Sequence, residues 1–128
     1  MKRLLFIDNE TYHNPWFLNQ IREQGYEIGL VTSKEQYETE ISGKYDMVLM
    51  ADLHIKRREQ PNGELHKPAL EILADLKERG IPVLVLARET EEVEKEAMSL
   101  GARVLRKPLP LEDIFKELEE LGVQDVLS

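Results

Sequence analysis

Met47-Val48-Leu49-Met50 is the stretch that most constrains this chain. Four apolar residues follow one another without interruption, between Tyr45-Asp46 and Ala51-Asp52-Leu53-His54. Side chains of a strand alternate between the two faces of a sheet, so an unbroken apolar run is dry on both. That pattern belongs to a central strand of a parallel sheet covered by helices on each side. In open sheets of this kind, chemistry sits at the carboxyl ends of the strands. Ala51 and Asp52 stand at that end, and which of them takes the strand-end position decides what the chain can do.

Around this run, short apolar segments alternate with amphipathic ones. Arg3 to Ile7 reads as a first strand that ends in Asp8-Asn9-Glu10. Asn14-Pro15 reads as a helix start, with Asn as N-cap and Pro in the first helical position. Phe17, Leu18 and Ile21 supply its apolar face and Gly25 its stop. Glu27 to Thr32 is the second strand, and Ser33 to Gln36 has the spacing of a capping box that opens a helix to Glu40. Lys56 to Lys67 is basic and carries the turn signal Pro61-Asn62-Gly63.

Pro68 restarts order. Leu70, Leu73 and Leu76 mark a helix ended by Gly80, and Val83 to Leu86 is a second wholly apolar strand. Thr90 caps a helix whose Val93, Ala97 and Leu100 face inward before Gly101, while its Glu-rich start, Glu91 to Glu96, reads as a solvated face. Val104-Leu105 is a short strand leading to Lys107-Pro108. Leu111, Ile114, Phe115, Leu118 and Leu121 form the stripe of a last amphipathic helix. Gly122 reads as its stop, giving one domain over residues 1–122 and a C-terminal tail over 123–128. Five strands alternating with five helices predict a parallel sheet with right-handed crossovers.

Composition narrows the function classes. The chain has 128 residues and is 41% hydrophobic, the size and content of one domain with its own core. A net charge of −8 argues against nucleic acid, which needs a basic footprint. No apolar run is long enough to span a membrane, and the start lacks the pattern of a signal peptide. With no cysteine there is no disulfide, thiol nucleophile or thiolate ligand. A cytoplasmic protein is the expectation. His13, His54 and His66 fall in separate loops without metal-ligand spacing.

Several of these segments, in this order, resemble the receiver domain of bacterial two-component response regulators. Phe6-Ile7-Asp8-Asn9-Glu10 is similar to that family's apolar strand ending in an acidic pair, and Gly25-Tyr26-Glu27-Ile28 to the start of its second strand. Tyr45-Asp46-Met47-Val48-Leu49-Met50 resembles the run before its phospho-accepting Asp, and Ile81-Pro82-Val83-Leu84-Val85-Leu86 its fourth strand. Gly101-Ala102 and Lys107-Pro108 resemble its last two signatures. The resemblance implies a flavodoxin-like α/β fold, a doubly wound five-stranded parallel sheet in order 2-1-3-4-5 with five helices. It also implies Mg²⁺-assisted phosphoryl transfer to an Asp, a Thr or Ser and a Lys that hold the phosphoryl group, and an aromatic residue that moves in response.

Position by position, the chain departs from that chemistry. Asp8 stands at the first acidic position, but the second is Asn9. Counting from Asp46, the acceptor position is Ala51, which has no oxygen to phosphorylate. The Thr/Ser position is Ala87 and the aromatic position is Val104; of the set, Asp8 and Lys107 remain. The resemblance therefore implies a pseudo-receiver that keeps the scaffold without the phosphorelay chemistry. It would be a non-enzymatic signalling module without a cofactor, working by protein–protein contact with a sensor kinase or output domain. Homodimerisation through the helix 4–strand 5–helix 5 face is also implied, with Arg103, Val104 and Arg106 in the partner interface.

Two other readings use the same residues. One extra residue in the third strand would make Asp52 the phosphoacceptor of a working receiver, with Asp8 and Asp52 holding Mg²⁺; side-chain alternation argues that Asp52 points the other way. Asp8-Asn9-Glu10-Thr11 also resembles the nucleophile motif of haloacid-dehalogenase-type phosphatases, in which Asp8 would attack phosphate. That motif is imperfect at Glu10, and its later Ser or Thr is replaced by Ala87. A flavin phosphate is disfavoured by the charges of Asp8 and Glu10 in the first loop.

Overall fold

A computed structural model describes residues 2–8, 15–51, 67–87, 91–106 and 110–127. Within them, β1 (Lys2–Ile7), α1 (Pro15–Glu23), β2 (Tyr26–Val31), α2 (Lys34–Glu40) and β3 (Met47–Met50) alternate along the chain. They are followed by α3 (Lys67–Arg79), β4 (Val83–Ala87), α4 (Glu91–Ser99), β5 (Arg103–Arg106) and α5 (Leu111–Leu127). The strands form one parallel sheet in order β2-β1-β3-β4-β5, the flavodoxin-like arrangement.

The apolar run sits where its pattern requires. All four residues of β3 are fully buried, between β1 and β4. Met47 and Leu49 enter one core layer with Leu4, Phe6, Leu18, Ile21, Ile114 and Leu118, so α1 and α5 cover that face. Val48 and Met50 enter the other with Tyr37, Ile72, Leu76 and Ala97, so α2, α3 and α4 cover the opposite face. At roughly 1.5–3 kcal/mol for each large apolar side chain taken from water, these two layers are the main driving force for the fold.

Local signals fix several ends. Ser33 accepts a hydrogen bond from the Gln36 amide at 3.1 Å, as the capping box predicts. The return arm differs: Gln36 Oε1 accepts from the backbone and hydroxyl of Thr32, at 2.7 and 3.0 Å, rather than from Ser33. At the amino end of the sheet, Arg3 donates to the Lys44 carbonyl at 2.9 Å, and its backbone amide donates to Asp46 at 2.7 Å. Its guanidinium lies 4.6 Å from the centre of the Tyr45 ring. That ring also covers Gly29 of β2, where any Cβ would collide with its hydroxyl end.

The last helix departs from the expected boundary. It does not stop at Gly122 but continues to Leu127, so the expected tail is largely helical. The glycines that close α1, α3 and α4 have φ of 98, 71 and 87°, the left-handed geometry of a helix stop. Gly122 is absent from that group and is a buried interior residue packed beside Lys2 and Met47. Sequence alone does not distinguish a glycine that ends a helix from one carried inside it.

Candidate functional site

Register brings Asp8 and Ala51 side by side at the carboxyl edge of the sheet. Ile7 pairs with Met50, and the Ala51 amide donates to the Ile7 carbonyl at 2.8 Å. Asp8 is the residue after Ile7, and its own amide donates to Val31 at 3.1 Å, which continues the ladder toward β2. Alternation puts both side chains on the face of α1 and α5; Ala51 packs in the layer that contains Phe6 and Leu49. Asp8 is 1% exposed and Ala51 6%. The central strand therefore ends in a buried methyl group at the place where a carboxylate would complete a pair with Asp8.

The remaining positions divide between the two faces. Val104 lies opposite Val85 and packs on the other core layer, with α4. Ala87 is the last residue of β4, opposite Arg106. Asn9, Asp52, Lys107 and Thr90 lie outside the described residues, as do the three histidines. The site that the structure brings together is thus Asp8 and Ala51, with Ala87 on the neighbouring strand end. Among the described residues, no group of three or more His, Cys, Asp or Glu side chains is placed to hold a metal ion. A hard cation such as Mg²⁺ takes several oxygen ligands, and the side chain of Ala51 supplies none.

The two arginines expected in a partner interface are engaged within the domain. Arg103 bridges to α5, with Nε 2.5 Å from Glu117 and Nη2 3.1 Å from Glu120. Arg106 bridges to α4, its Nε and Nη2 donating to Glu94 Oε2 at 3.2 and 3.0 Å. This corrects the reading of Glu91 to Glu96 as a solvated face at one position, because Glu94 is 8% exposed. The available signal was its spacing: Glu94 lies three residues before Ala97, on the same helical face.

A second polar cluster joins α2 to α3. Tyr37 is 2% exposed and donates its hydroxyl to Asp75 at 2.6 Å, while Arg79 donates to the same oxygen at 2.8 Å. Lys34 pairs with Glu71 alongside. Burial pushes the Tyr37 hydroxyl pKa far up, and the bond to Asp75 and its charge add to that. Burial also pushes the Asp75 carboxyl up, but the bonds from Tyr37 and Arg79 and the charges of Arg79 and Lys34 outweigh it and hold it below its usual value.

No family model and no curated protein sequence matches the chain. Solved structures do. A CheY-like response regulator receiver domain protein from Methanospirillum hungatei aligns over 98% of this chain and 96% of its own, with TM-score 0.80 and 18% identity. A response regulator receiver domain protein from Clostridium thermocellum aligns over 99% and 98%, with TM-score 0.78 and 21% identity. The response regulator TrrA from Thermotoga maritima, determined in complex with Mg²⁺ and BeF, aligns over 94% and 99%, with TM-score 0.73 and 19% identity. The chain shares the fold of these receiver domains along nearly its whole length. Among the described residues, no helix is long and apolar enough to cross a membrane.

Proposed function

We propose that this chain is a receiver-like module of two-component signalling that acts by protein–protein contact, without phosphorylation, metal or catalysis. The observation that carries this reading is Ala51 beside Asp8. It stands in register at the end of the central strand, on the face shared with Asp8, where the resemblance places the phospho-accepting Asp. A methyl group has no oxygen to attack a phosphodonor, and a single described carboxylate is a poor Mg²⁺ site. Ala87 and Val104 fit the same loss, because neither carries the hydroxyl or the aromatic ring of a phosphorylation-driven switch. The partner would be a sensor kinase or an output domain in the cytoplasm, met through α4, β5 and α5. Arg103 and Arg106 would shape that surface through their internal pairs.

The test is intact mass after incubation with Mg²⁺ and a small phosphodonor. The expected result is the unmodified mass for the wild type and for Asp52→Ala alike. A stoichiometric phosphoryl adduct lost in Asp52→Ala would replace this reading with that of a working receiver. Such an adduct lost instead in Asp8→Asn would point to the phosphatase-type nucleophile.

A further inference from the structure

The edge strand β5 is fastened on both faces. Its alternation sends Arg103 to the α5 side and Val104 and Arg106 to the α4 side. Opposite them, α4 presents Ala97, fully buried, and Glu94 one turn earlier. Val104 packs on the core layer to which Ala97 and Ala102 belong. The same face of α4 brings the Glu94 carboxylate within hydrogen-bond distance of Arg106.

We propose that the Glu94–Arg106 pair is a lock that holds α4 in one position against β5. This inference rests on the reading above, in which the chain acts by contact through α4, β5 and α5 without a phosphorylation-driven switch, and it identifies what fixes α4 within that face. The pair is asymmetric. The Glu94 side chain is 10% exposed, whereas that of Arg106 is 59% exposed and reaches in from solvent. One carboxylate oxygen, Oε2, takes both guanidinium bonds; the other, Oε1, is buried and has no hydrogen-bond partner among the described residues. Glu94 therefore depends on Arg106 for its compensation. Any displacement of α4 that separates them leaves a buried carboxylate uncompensated, which is strongly unfavourable. Among the described residues this is the only ion pair that ties α4 to another element. Besides this pair, Lys77 of α3 donates to the Ser99 carbonyl at 3.4 Å, and Ala97 packs in the core layer.

Amide hydrogen exchange of the whole chain, compared for wild type, Glu94→Gln and Arg106→Gln, tests the lock. The expected result is α4 amides that exchange about tenfold faster in both variants, while β1 and β3 amides stay within about twofold of wild type. The double variant E94Q/R106Q should exchange more slowly in α4 than Arg106→Gln alone, because no buried charge is left unpaired. Should Arg106→Gln fail to fold, Glu94→Gln carries the test, since it keeps the shape and removes only the charge. Unchanged α4 exchange would overturn the proposal, and so would equal acceleration in every element, which marks a general loss of stability. The experiment runs without phosphodonor, so its outcome is independent of the mass measurement. A phosphoryl adduct would overturn the functional reading and leave the lock to stand or fall on exchange alone.

Discussion

The Tyr37 hydroxyl lies 2.6 Å from Asp75, so a buried ring on α2 is bonded to a half-exposed carboxylate on α3. The Asp75 pKa is depressed below its ordinary 3.8. A depressed carboxylate stabilises the fold above its unfolded-state pKa, and that contribution is lost as pH falls through the lower folded value. Tyr37→Phe should therefore cost about 1 kcal/mol near neutral pH, discounted for the exposure of Asp75. The gap from wild type should close below about pH 4. Urea unfolding across that pH range measures it, and a gap that widened in acid would contradict the assignment.

Ala51→Asp places a second carboxylate beside Asp8 on a buried face. Two like charges at one site raise the cost of ionising both. The variant should unfold more easily by about 1–3 kcal/mol at neutral pH. Millimolar Mg²⁺ should return part of that loss, because an ion that binds only the folded state stabilises it by mass action. The unfolding midpoint of the wild type should not respond to Mg²⁺.

Gly122→Ala separates an interior helical glycine from a helix stop. In a left-handed stop, alanine would be strained and destabilising. Inside a helix it improves propensity by up to about 1 kcal/mol. The new Cβ would meet the mobile end of the exposed Lys2 side chain and, at 3.5 Å, the Met47 methyl, which is ordinary contact. The expected thermal midpoint is equal to wild type or a few degrees higher. A clear drop would mean that α5 ends there.

Arg103 holds two carboxylates of α5, and Arg103→Glu would set three acidic groups together. The variant should lose about 1–2 kcal/mol at low ionic strength, and added salt should recover part of it because the site is partly exposed. Chemical unfolding at two salt concentrations checks both the sign and the recovery.

Sequence pattern was a good guide wherever it recorded burial. The unbroken apolar runs at 47–50 and 83–86 announced central strands, and both lie inside the sheet. Alternation of strands and helices predicted the parallel sheet, and the family resemblance implied its strand order. Of the site, Asp8 and Ala51 were grouped by the family resemblance, and the register of β1 with β3 sets them side by side. The inward turn of Glu94 was harder to read. Its charge argued for solvent, and the arginine that compensates it stands twelve residues later on another element. Only its spacing from Ala97 pointed to the inner face, and that spacing does not reveal the partner that lets a carboxylate stay there. The continuation of α5 escaped for a related reason: glycine has two common uses in helices, and the choice is made by backbone geometry.

The Tyr45 ring resting on Gly29 makes two positions one inherited choice. A side chain at 29 has no room while an aromatic ring stands at 45, since its Cβ would fall 2.9 Å from Cζ of that ring. Shortening residue 45 alone would open a void over β2 and remove the face on which Arg3 stacks. Neither residue can drift alone without loss, so among relatives of this chain the two should change together: glycine with an aromatic residue, or a larger residue at 29 with a small one at 45. An alignment of close homologues would display that pairing as covariation between a position of β2 and one just before β3.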